Sequence, residues 1–483
     1  MNFKLRSLVA ATLTGSFLMG FGATAMADST TDIVNALVAK GVLTEEEGVL
    51  LTKGRTGETE AAAKKKETAI ATSYKDGILF ESGDKKNSMQ INGRVHFDSR
   101  SYDYSESNNT NAAASATGAD TFDIRRARLG AKFKFLDYYS GEVVFNGVGS
   151  TPIADVAYVN VAWWKPVQFR AGLFKMPFSL EQLTSSNNID FVERSFVDAY
   201  IPAKEIGAMV HGEPMKGTTY ALAFSNGSNA AETDNRVDNK DVIGRVTANF
   251  AEIFDIKDMV LHAGLAYAKG DIAKGAGLGG ARGTEARGAS FFTAPVLGTT
   301  DASDKSIDRT RAGLEAVVAS GPFKVQGQYL MTNYQFAQTT RSYDTDIKTW
   351  YAEALWTITG ESHAERYKAG AFGALKPKNN FDPENFSGGA WEIGARYSKF
   401  DANDLNTVGL TTTADTGVTL GSGFTQAKAL TAGVKFVANP HLRFMLDYVK
   451  TDFDNRIGTT AVTVNGRSED SEKAILFRTQ VAF

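Results

Sequence analysis

The segment 472-EKAILFRTQVAF-483 alternates in polarity residue by residue and reaches the last position of the sequence. Alternate side chains of a β-strand point to opposite faces, so the segment is predicted as a strand with one apolar face. Chain termini are usually poorly tied down. A strand ending on Phe483 is therefore expected to pair with a strand from elsewhere in the chain. The apolar face would carry Ile475, Phe477, Thr479, Val481 and Phe483, and the other face Leu476, Arg478 and Gln480.

The same two-residue period begins near residue 74 and continues to the end. In 126-RARLGAKFKF-135, small and apolar residues alternate with arginine and lysine. Such segments are typical of strands that are apolar on one side only. We count sixteen candidate strands, at 88–100, 126–135, 138–147, 155–164, 166–174, 206–213, 217–226, 241–251, 258–269, 307–319, 322–336, 345–359, 388–400, 425–438, 440–453 and 472–483.

Two features favour a transmembrane barrel over a soluble β-sandwich. Connections alternate between tight ones, such as 319-ASGP-322 and 437-VANP-440, and long Gly/Ser/Thr/Asn-rich ones at 101–120, 174–205, 270–306 and 401–424. Outer-membrane barrels show this asymmetry. Aromatic residues also cluster at strand ends, where interfacial girdles need them: Tyr138, Tyr139, Trp163, Trp164, Trp350, Trp356, Trp391, Tyr448 and Phe483. A closed barrel has no free edge, so its last strand must pair with its first.

The first residues predict an export signal. Lys4 and Arg6 precede an apolar run, and Ala25-Met26-Ala27 offers small residues at a signal-peptidase site. We expect a signal peptide at 1–27, since the run is shorter than the ~20 residues of a membrane-spanning anchor. Residues 28–73 are expected to form a periplasmic helical or coiled-coil-like segment and linker, either a tether or a stalk, in which Thr44 and Glu47 form a capping box. The barrel would then span 74–483.

Composition excludes several functions. The chain has no cysteine, so it forms no disulfide and no thiolate metal site, and its net charge is −3. Its five histidines are dispersed and no G-x-S-x-G motif is present. Neither an enzyme nor a cofactor is therefore expected, and no nucleic-acid partner is expected.

If the apolar faces contact lipid, the opposite faces line the lumen, and strand parity assigns their charges. Fourteen basic residues would point inward: Arg94, Arg126, Arg128, Lys132, Lys134, Arg170, Arg245, Arg309, Arg311, Lys324, Arg396, Lys435, Arg443 and Arg478. Six acids share that parity: Asp98, Glu142, Glu315, Glu353, Glu392 and Asp447. Arginine and lysine rings favour anions in pores, although some of these residues are expected to pair with acids and stiffen the wall.

Several stretches resemble the phosphate-selective porins of the O/P family: 91-INGRVHFD-98, 122-FDIRRARLGAKF-133, 155-DVAYVNVAW-163, 172-GLFKMPFSLEQLTSSNNIDFVERS-195, 358-ITGE-361, 390-AWEIGARYS-398 and 475-ILFRTQVAF-483. The resemblance runs from about residue 74 to the end and is most specific from Gly172 to Ser195. It implies an all-β fold: a homotrimer of sixteen-stranded antiparallel barrels in the outer membrane, each with its third loop folded inward to form a constriction.

The resemblance also implies pore-lining residues. Arg94 and the Arg125-Arg126 pair match arginines of the family's anion ladder, and Asp155 matches an acid near the constriction. Where phosphate-specific members carry a lysine after Leu-Glu, this sequence has Gln182. Two further differences are basic: Lys175 and Arg128 stand where those members carry tyrosines. Strand parity adds Arg170 as an inward residue.

The charges of the expected constriction loop argue against strict phosphate specificity. Between Lys175 and Glu205, the loop carries three basic residues against five acids: Lys175, Arg194 and Lys204, and Glu181, Asp190, Glu193, Asp198 and Glu205. We therefore expect passive diffusion of small anions such as phosphate. A weakly selective general porin, or a structural or adhesive barrel tethered to peptidoglycan, are the alternatives. The expected surroundings are the lipid bilayer and lipopolysaccharide of a Gram-negative outer membrane, with the N-terminus in the periplasm.

Overall fold

The computed structural model describes residues 27–53, 69–103, 120–149, 154–227, 239–273, 277–297, 306–338, 341–411, 418–457, 462–464 and 467–483. The predicted signal peptide, apart from Ala27, lies outside the described residues, as do linker residues 54–68. In the described part of the chain, no helix is both long and apolar enough to cross a membrane.

Sixteen antiparallel strands form a closed barrel. We number these barrel strands β1 Ser88–Asp103, β2 Thr121–Phe135, β3 Tyr139–Asn146, β4 Ala154–Trp164, β5 Val167–Lys175, β6 Lys204–Gly212, β7 Thr218–Ser225, β8 Asp241–Asn249, β9 Met259–Ala273, β10 Ser306–Ser320, β11 Phe323–Gln338, β12 Arg341–Thr357, β13 Ala390–Asp401, β14 Ser422–Asn439, β15 Leu442–Arg456 and β16 Ser471–Ala482. Each predicted strand overlaps one of them.

The barrel closes through its terminal strands, as the sequence predicts. Strand β16 pairs with β1 from Lys473 opposite Asp103 to Ala482 opposite Arg94. The last residue continues the ladder: the N–H of Phe483 donates to the carbonyl of Gly93 at 3.0 Å, and that of Gly93 donates back at 2.7 Å. A Cβ at Gly93 would lie 2.5 Å from the Phe483 ring, so the ring packs there only because residue 93 is glycine.

The outer surface of the barrel is apolar across most of its height. Outward residues such as Leu265, Leu314 and Val325 are more than half exposed, a pattern that suits lipid contact. Of the predicted aromatic residues, Trp163, Trp164, Trp356 and Trp391 stand on this surface at strand ends. Trp350 and Tyr448 lie instead near the middle of β12 and β15. Inward residues alternate with them and are mostly polar or charged.

The two ends of the barrel have different connections. At one end, the turn end, consecutive strands are joined by short segments such as 136–138, 165–166, 321–322 and 440–441. At the other end, the loop end, most connections are long. Two connections break this rule. Strands β11 and β12 are joined at the loop end by residues 339–340 alone, while residues 358–389, the turn-end segment, form a long connection at the opposite end.

The constriction loop predicted from Lys175 to Glu205 corresponds to residues 176–203 between β5 and β6, and it folds into the barrel. It contains the helix Leu180–Leu183 and the 3-10 helix Phe196–Ala199. The loop between β9 and β10 also enters, because Ala289 donates from its N–H to Glu472 of β16 at 2.6 Å. From the turn end, the Tyr367 hydroxyl lies 2.7 Å from His262 Nδ1 on β9. The sequence did not predict this entry of the turn-end segment.

These insertions form a hydrophobic core inside the barrel. Phe196 of the constriction loop contacts Phe291 and Phe400, and Phe291 stacks on Phe453 with ring centroids 5.4 Å apart. Met176, Phe178, Ile201 and Leu278 join the same cluster and are almost fully buried. Part of the lumen is therefore packed like a protein interior rather than filled by solvent.

The remaining elements are two N-terminal helices and several short helices and strands. The helix Ala27–Ala39 is followed by a second at 45–53. The predicted capping box is present, with Thr44 N to Glu47 Oε2 at 2.9 Å and Glu47 N to Thr44 Oγ1 at 3.2 Å. Other elements are Ile70–Tyr74, Ile78–Ser82, Phe250–Ile253, Ala281–Gly283, Ser290–Thr293, Val296–Leu297, Ala364–Arg366, Tyr367–Lys368, Ala371–Phe372, Asp404–Thr407, Val418–Thr419, Val462–Val464 and Arg467–Glu469.

Candidate functional site: a basic cavity beside the constriction loop

Most of the fourteen predicted inward bases are neutralised in place. Nine of them form ion pairs with acids, among them Arg245 with Glu315, Arg309 and Arg311 with Asp241, and Lys435 with Glu392. The other paired residues are Arg128, Lys134, Lys324, Arg396 and Arg478. Within the described ranges, five have no ion pair within 4 Å: Arg94, Arg126, Lys132, Arg170 and Arg443.

All five of these residues line one cavity of about 610 Å³. It lies between the constriction loop and the wall of β1 to β6, with Arg443 entering from β15. Ten basic side chains line this cavity against three acids, Asp76, Glu142 and Asp155. We call this region the open side of the lumen. The predicted inward bases without an acid partner are therefore concentrated in the part of the lumen that the loops leave open.

A β-bulge lets two adjacent arginines point inward. Pairing of β1 with β2 shifts between His96 opposite Arg126 and Phe97 opposite Ile124, which leaves Arg125 unpaired in the ladder. A bulge of this kind puts two neighbouring side chains on one face. Arg126 is thus buried facing the lumen, and Arg125 Nε reaches Glu193 of the constriction loop at 2.7 Å.

The acids of the constriction loop point away from the cavity. Asp190 pairs with Lys324 at 2.5 Å, Glu193 pairs with Arg125 and Arg478, and Glu181 lies 3.5 Å from Arg396. Each of these carboxylates fixes the loop to the wall. The net negative charge of the loop therefore does not describe the surface that faces the cavity.

The titration behaviour of these acids follows their partners. Burial alone would raise the pKa of Glu193, but the guanidiniums of Arg125 and Arg478 outweigh it and hold that pKa well below the usual value. The pKa of Asp190 is likewise lowered, because Lys324 and Lys435 outweigh its burial. For Glu181 burial prevails and raises the pKa to about 7. The loop is thus held by two carboxylates that stay ionised at neutral pH.

Towards the cavity, the loop presents neutral polar groups. Arg94 Nη1 donates to the hydroxyls of Ser186 at 3.1 Å and Ser185 at 3.3 Å, and His96 lies 3.0 Å from Asn187 Oδ1. Arg443 donates to the Asn187 carbonyl. Hydroxyl and amide groups add hydrogen-bonding capacity to the basic wall, so a small anion meets donors from both sides.

Seven of the eight predicted pore-lining residues meet at this cavity: Arg94, Arg126, Arg128, Asp155, Arg170, Lys175 and Gln182. Arg125 does not line it, since its side chain is directed to Glu193. Asp155 accepts from Arg128 at 2.8 Å and also pairs with Lys204, so both bases are partly neutralised.

Lys175 and Gln182 are brought together by a helix end. The Lys175 ammonium donates to the carbonyls of Gln182, Leu183 and Thr184, which are the free acceptors after the helix Leu180–Leu183. The loop carbonyls therefore accept the hydrogen bonds that the Lys175 ammonium can donate. The buried Oε1 of Gln182 has no hydrogen-bond partner in the described part of the chain and lies at the cavity.

The predicted site omitted several cavity residues. Parity had assigned Lys132 and Arg443 to the lumen without placing them at a site, while Arg194 and Lys204 were counted only as loop charges. Lys376 of the turn-end segment also lines the cavity and lies 3.2 Å from Asp76. No periodic signal marks Lys376, because its position depends on the fold of an irregular segment. Among the described residues, no group of three or more His, Asp or Glu side chains is arranged to hold a metal ion.

A closed sixteen-stranded barrel with a lipid-facing exterior, an inward constriction loop and a basic cavity defines an outer-membrane porin. The family model "Phosphate-selective porin O and P" matches residues 89–483, and the chain belongs to this family. Porin O of Pseudomonas aeruginosa is 28% identical over 440 residues, which cover 86% of this chain and 92% of that protein.

Two solved outer-membrane protein structures each cover most of this chain at low identity. An anion-selective porin from Comamonas acidovorans is 12% identical, with a TM-score of 0.46, covering 82% of this chain and all of that one. The outer-membrane protein OmpT of Vibrio cholerae, in its trimer form, is 11% identical with a TM-score of 0.46 and covers 82% of this chain and 99% of that one.

Proposed function

We propose that the protein forms a water-filled channel for the passive diffusion of small anions, phosphate among them. The main support for this proposal is the distribution of charge inside the barrel. Five of the predicted inward bases have no acid partner in the described ranges and line one cavity, while the other nine are paired. A cation entering this cavity meets net positive charge, and an anion meets arginine donors and loop hydroxyls in place of its hydration shell.

Phosphate is proposed as one permeant anion rather than the exclusive one. Gln182 stands where phosphate-specific members carry a lysine, and Lys175 donates its hydrogen bonds to loop carbonyls. An anion that passes here therefore meets fewer charged donors than it would meet if residue 182 were a lysine. Loss of one such donor costs on the order of 1 to 3 kcal/mol in a desolvated site. This difference supports a weakly selective anion channel over a phosphate-specific one.

The zero-current potential of purified protein in a planar bilayer tests the proposal. Under a KCl gradient, the sign is expected to show that chloride carries most of the current, and millimolar phosphate is expected to reduce that current. A potential with the sign of potassium selectivity would contradict the proposal. A structural or adhesive barrel without a continuous pathway would give no current at all.

Further proposals concern the oligomeric state of the channel, its orientation in the membrane and its contacts in the periplasm. We expect a homotrimer, as the resemblance to the family implies, and no enzymatic activity. The loop end is proposed to face the outside, with the helical residues 28–53 in the periplasm after removal of residues 1–27. Contact of these helices with peptidoglycan is part of this proposal. Crosslinking of the purified protein tests the trimer, and protease accessibility in intact cells tests the orientation.

A further inference from the structure

Residues 367–372 of the turn-end segment form a small β-hairpin, which we call the turn-end hairpin. Its strands, Tyr367–Lys368 and Ala371–Phe372, pair antiparallel. The two residues between them, Ala369 and Gly370, both have positive φ, 47° and 77°, a conformation that tight two-residue hairpin loops need. The first and last residues of the hairpin lie opposite each other, and their aromatic rings have centroids 5.4 Å apart. The hairpin thus presents an aromatic pair.

The turn-end hairpin contacts the constriction loop directly. The N–H of Phe372 donates to Thr184 Oγ1 at 3.3 Å, and Thr184 is the residue at which the helix Leu180–Leu183 ends. The Phe372 ring and the Leu180 side chain are both buried and belong to one hydrophobic cluster, which wall residues complete: Val260, Val317 and Ala319. The short helix of the constriction loop therefore packs on the hairpin.

Two charged residues of the barrel wall bind both elements at once. The buried Lys324 ammonium pairs with Asp190 of the constriction loop at 2.5 Å and lies 4.4 Å from the centroid of the Phe372 ring. A cation held over an aromatic ring is attracted to it, and more strongly where water is excluded. One lysine of β11 therefore holds the loop through its charge and the hairpin through its ring contact.

The second shared residue is Glu315 of β10. Its Oε2 accepts from the N–H of Leu180 at 2.8 Å, at the start of the constriction-loop helix. Its Oε1 pairs with Arg245, whose Nη2 also donates to the Gly370 carbonyl of the hairpin at 3.1 Å. The helix and the hairpin are thus fixed to the same carboxylate, so a displacement of the hairpin changes the support of the helix.

This helix determines where the loop presents its polar groups to the basic cavity. Gln182 lies within the helix and lines the cavity, and the hydroxyls of Ser185 and Ser186, which accept from Arg94, follow shortly after it. The helix has four residues, whereas isolated helices need roughly 12 to 15 residues to be stable in water. Its position therefore depends on the contacts beneath it and not on its own hydrogen bonds.

We propose that the turn-end hairpin sets the position of the constriction loop at the anion cavity, with Phe372 as the positioning residue. Phe372 does not line the cavity and carries no charge, so it acts on a passing anion only through the helix Leu180–Leu183. A change at Phe372 is therefore expected to alter how tightly an anion is held and not which sign of charge passes. The inference rests on the proposed channel function for the identity of the ion, but the contact between hairpin and loop is independent of it.

Phosphate block of the chloride current through Phe372→Ala, measured in planar bilayers, tests the proposal. Loss of the buried ring leaves a hollow beneath the helix. The phosphate concentration that halves the current is expected to rise about three- to tenfold, because the donors around the anion lose their alignment. The anion-to-cation permeability ratio should stay at the wild-type value, since every charged residue remains. The control Phe336→Ala removes a buried ring that stacks on Tyr343 near the loop end, and it should be blocked like wild type. Phe372→Leu, which keeps most of the core volume, should shift the block in the same direction by about twofold and serves if Phe372→Ala does not fold.

A reversible crosslink separates positioning from a general loss of stability. The chain has no native cysteine, so Thr184→Cys/Phe372→Cys places one thiol on the loop and one on the hairpin. The reduced form should show the weakened block of Phe372→Ala, and oxidation with diamide should restore the wild-type block, because the disulfide replaces the lost contact in the same polypeptide. Equal block in the reduced and oxidised forms, failure of the disulfide to form in the folded protein, or a wild-type block in both folded Phe372 variants would overturn the proposal. If wild type proves cation-selective, the channel proposal fails, while the difference in conductance between the reduced and oxidised forms still tests the hairpin.

Discussion

The lumen has two sides built from the same kinds of residue. On the open side, Arg94, Arg126 and Arg170 face a cavity without an acid within ion-pair distance in the described ranges. On the packed side, formed by β8, β10, β11, β13 and β14, Arg309 and Arg311 share Asp241, and Lys324 meets Asp190. Basic residues alone therefore do not make an anion path. The difference depends on where the loops supply carboxylates and fill the space.

Because of this difference in charge pairing, we expect the two sides of the lumen to have different roles. A buried ion pair loses much stability when one partner is removed, because the remaining charge is left without compensation. Substitutions on the packed side are therefore expected to change folding and loop position. Substitutions on the open side are expected to change ion flow. The following experiments separate these outcomes, beginning with the largest effect.

The largest effect is expected for Asp190→Ala. This change leaves Lys324 and Lys435 without their shared constriction-loop partner, and we expect a loss of about 3 to 5 kcal/mol in resistance to unfolding. The measurement is the denaturant midpoint of the detergent-solubilised protein. Glu213→Ala, which breaks an exposed pair with Lys165, is the matched control and should cost at most about 1 kcal/mol. Equal losses in the two variants would mean that Asp190 does not hold the loop.

The next effect concerns ion selectivity. Arg94→Ala/Arg126→Ala removes two uncompensated charges from the cavity, and we expect the anion-to-cation permeability ratio to fall about three- to tenfold. Zero-current potentials in a KCl gradient give this ratio. Arg309→Ala on the packed side should leave the ratio unchanged, whatever its effect on stability. A drop of the same size in both variants would abolish the distinction between the two sides.

A gain of function is expected at Gln182. Gln182→Lys adds an ammonium at the cavity, and phosphate should then block chloride current more tightly, by about 1 kcal/mol or roughly fivefold in concentration. Gln182→Met, which fills similar space without charge or amide, should weaken the block. If the lysine variant behaves like wild type, position 182 lies off the path of the anion.

The smallest effect is a pH dependence of stability without a change in selectivity. Burial raises the pKa of Glu181 to about 7, so the native state keeps a proton that the unfolded chain has already lost above its ordinary pKa of 4.5. Stability linked to this proton is present below pH 4.5 and is lost as the pH rises to about 7. Relative to wild type, Glu181→Gln should therefore become more heat-stable between pH 5 and pH 8. Its permeability ratio should match wild type, because Glu181 faces Arg396 and Ser195 rather than the cavity.

The strands and the direction of their side chains were predictable because both follow from the two-residue period. Lys324, Arg396 and Lys435 all point inward as the alternation requires. Their partners were less predictable, since Asp190 and Glu285 come from irregular loops whose path no periodic pattern specifies. Parity identified the inward bases, but it did not show which of them are neutralised.

Two parts of the candidate site depend on long-range contacts that the sequence does not display. The bulge at Arg125 turns that side chain to Glu193, so it serves the loop and not the cavity wall. The turn-end segment, expected as an ordinary connection, enters the lumen because Arg245 donates to the Gly370 carbonyl and Phe372 donates to Thr184. Both depend on contacts between distant parts of the chain.

The most direct test of an anion path on the open side uses cysteine accessibility. The chain has no native cysteine, so Asn188→Cys at the cavity and Thr332→Cys on the packed side each provide a single thiol. A negatively charged methanethiosulfonate reagent is expected to modify Asn188→Cys at least about tenfold faster than a positively charged one and to reduce the current. Neither reagent is expected to change the current of the Thr332→Cys channel. Faster reaction with the cationic reagent at position 188, or current block through position 332, would contradict an anion path on the open side.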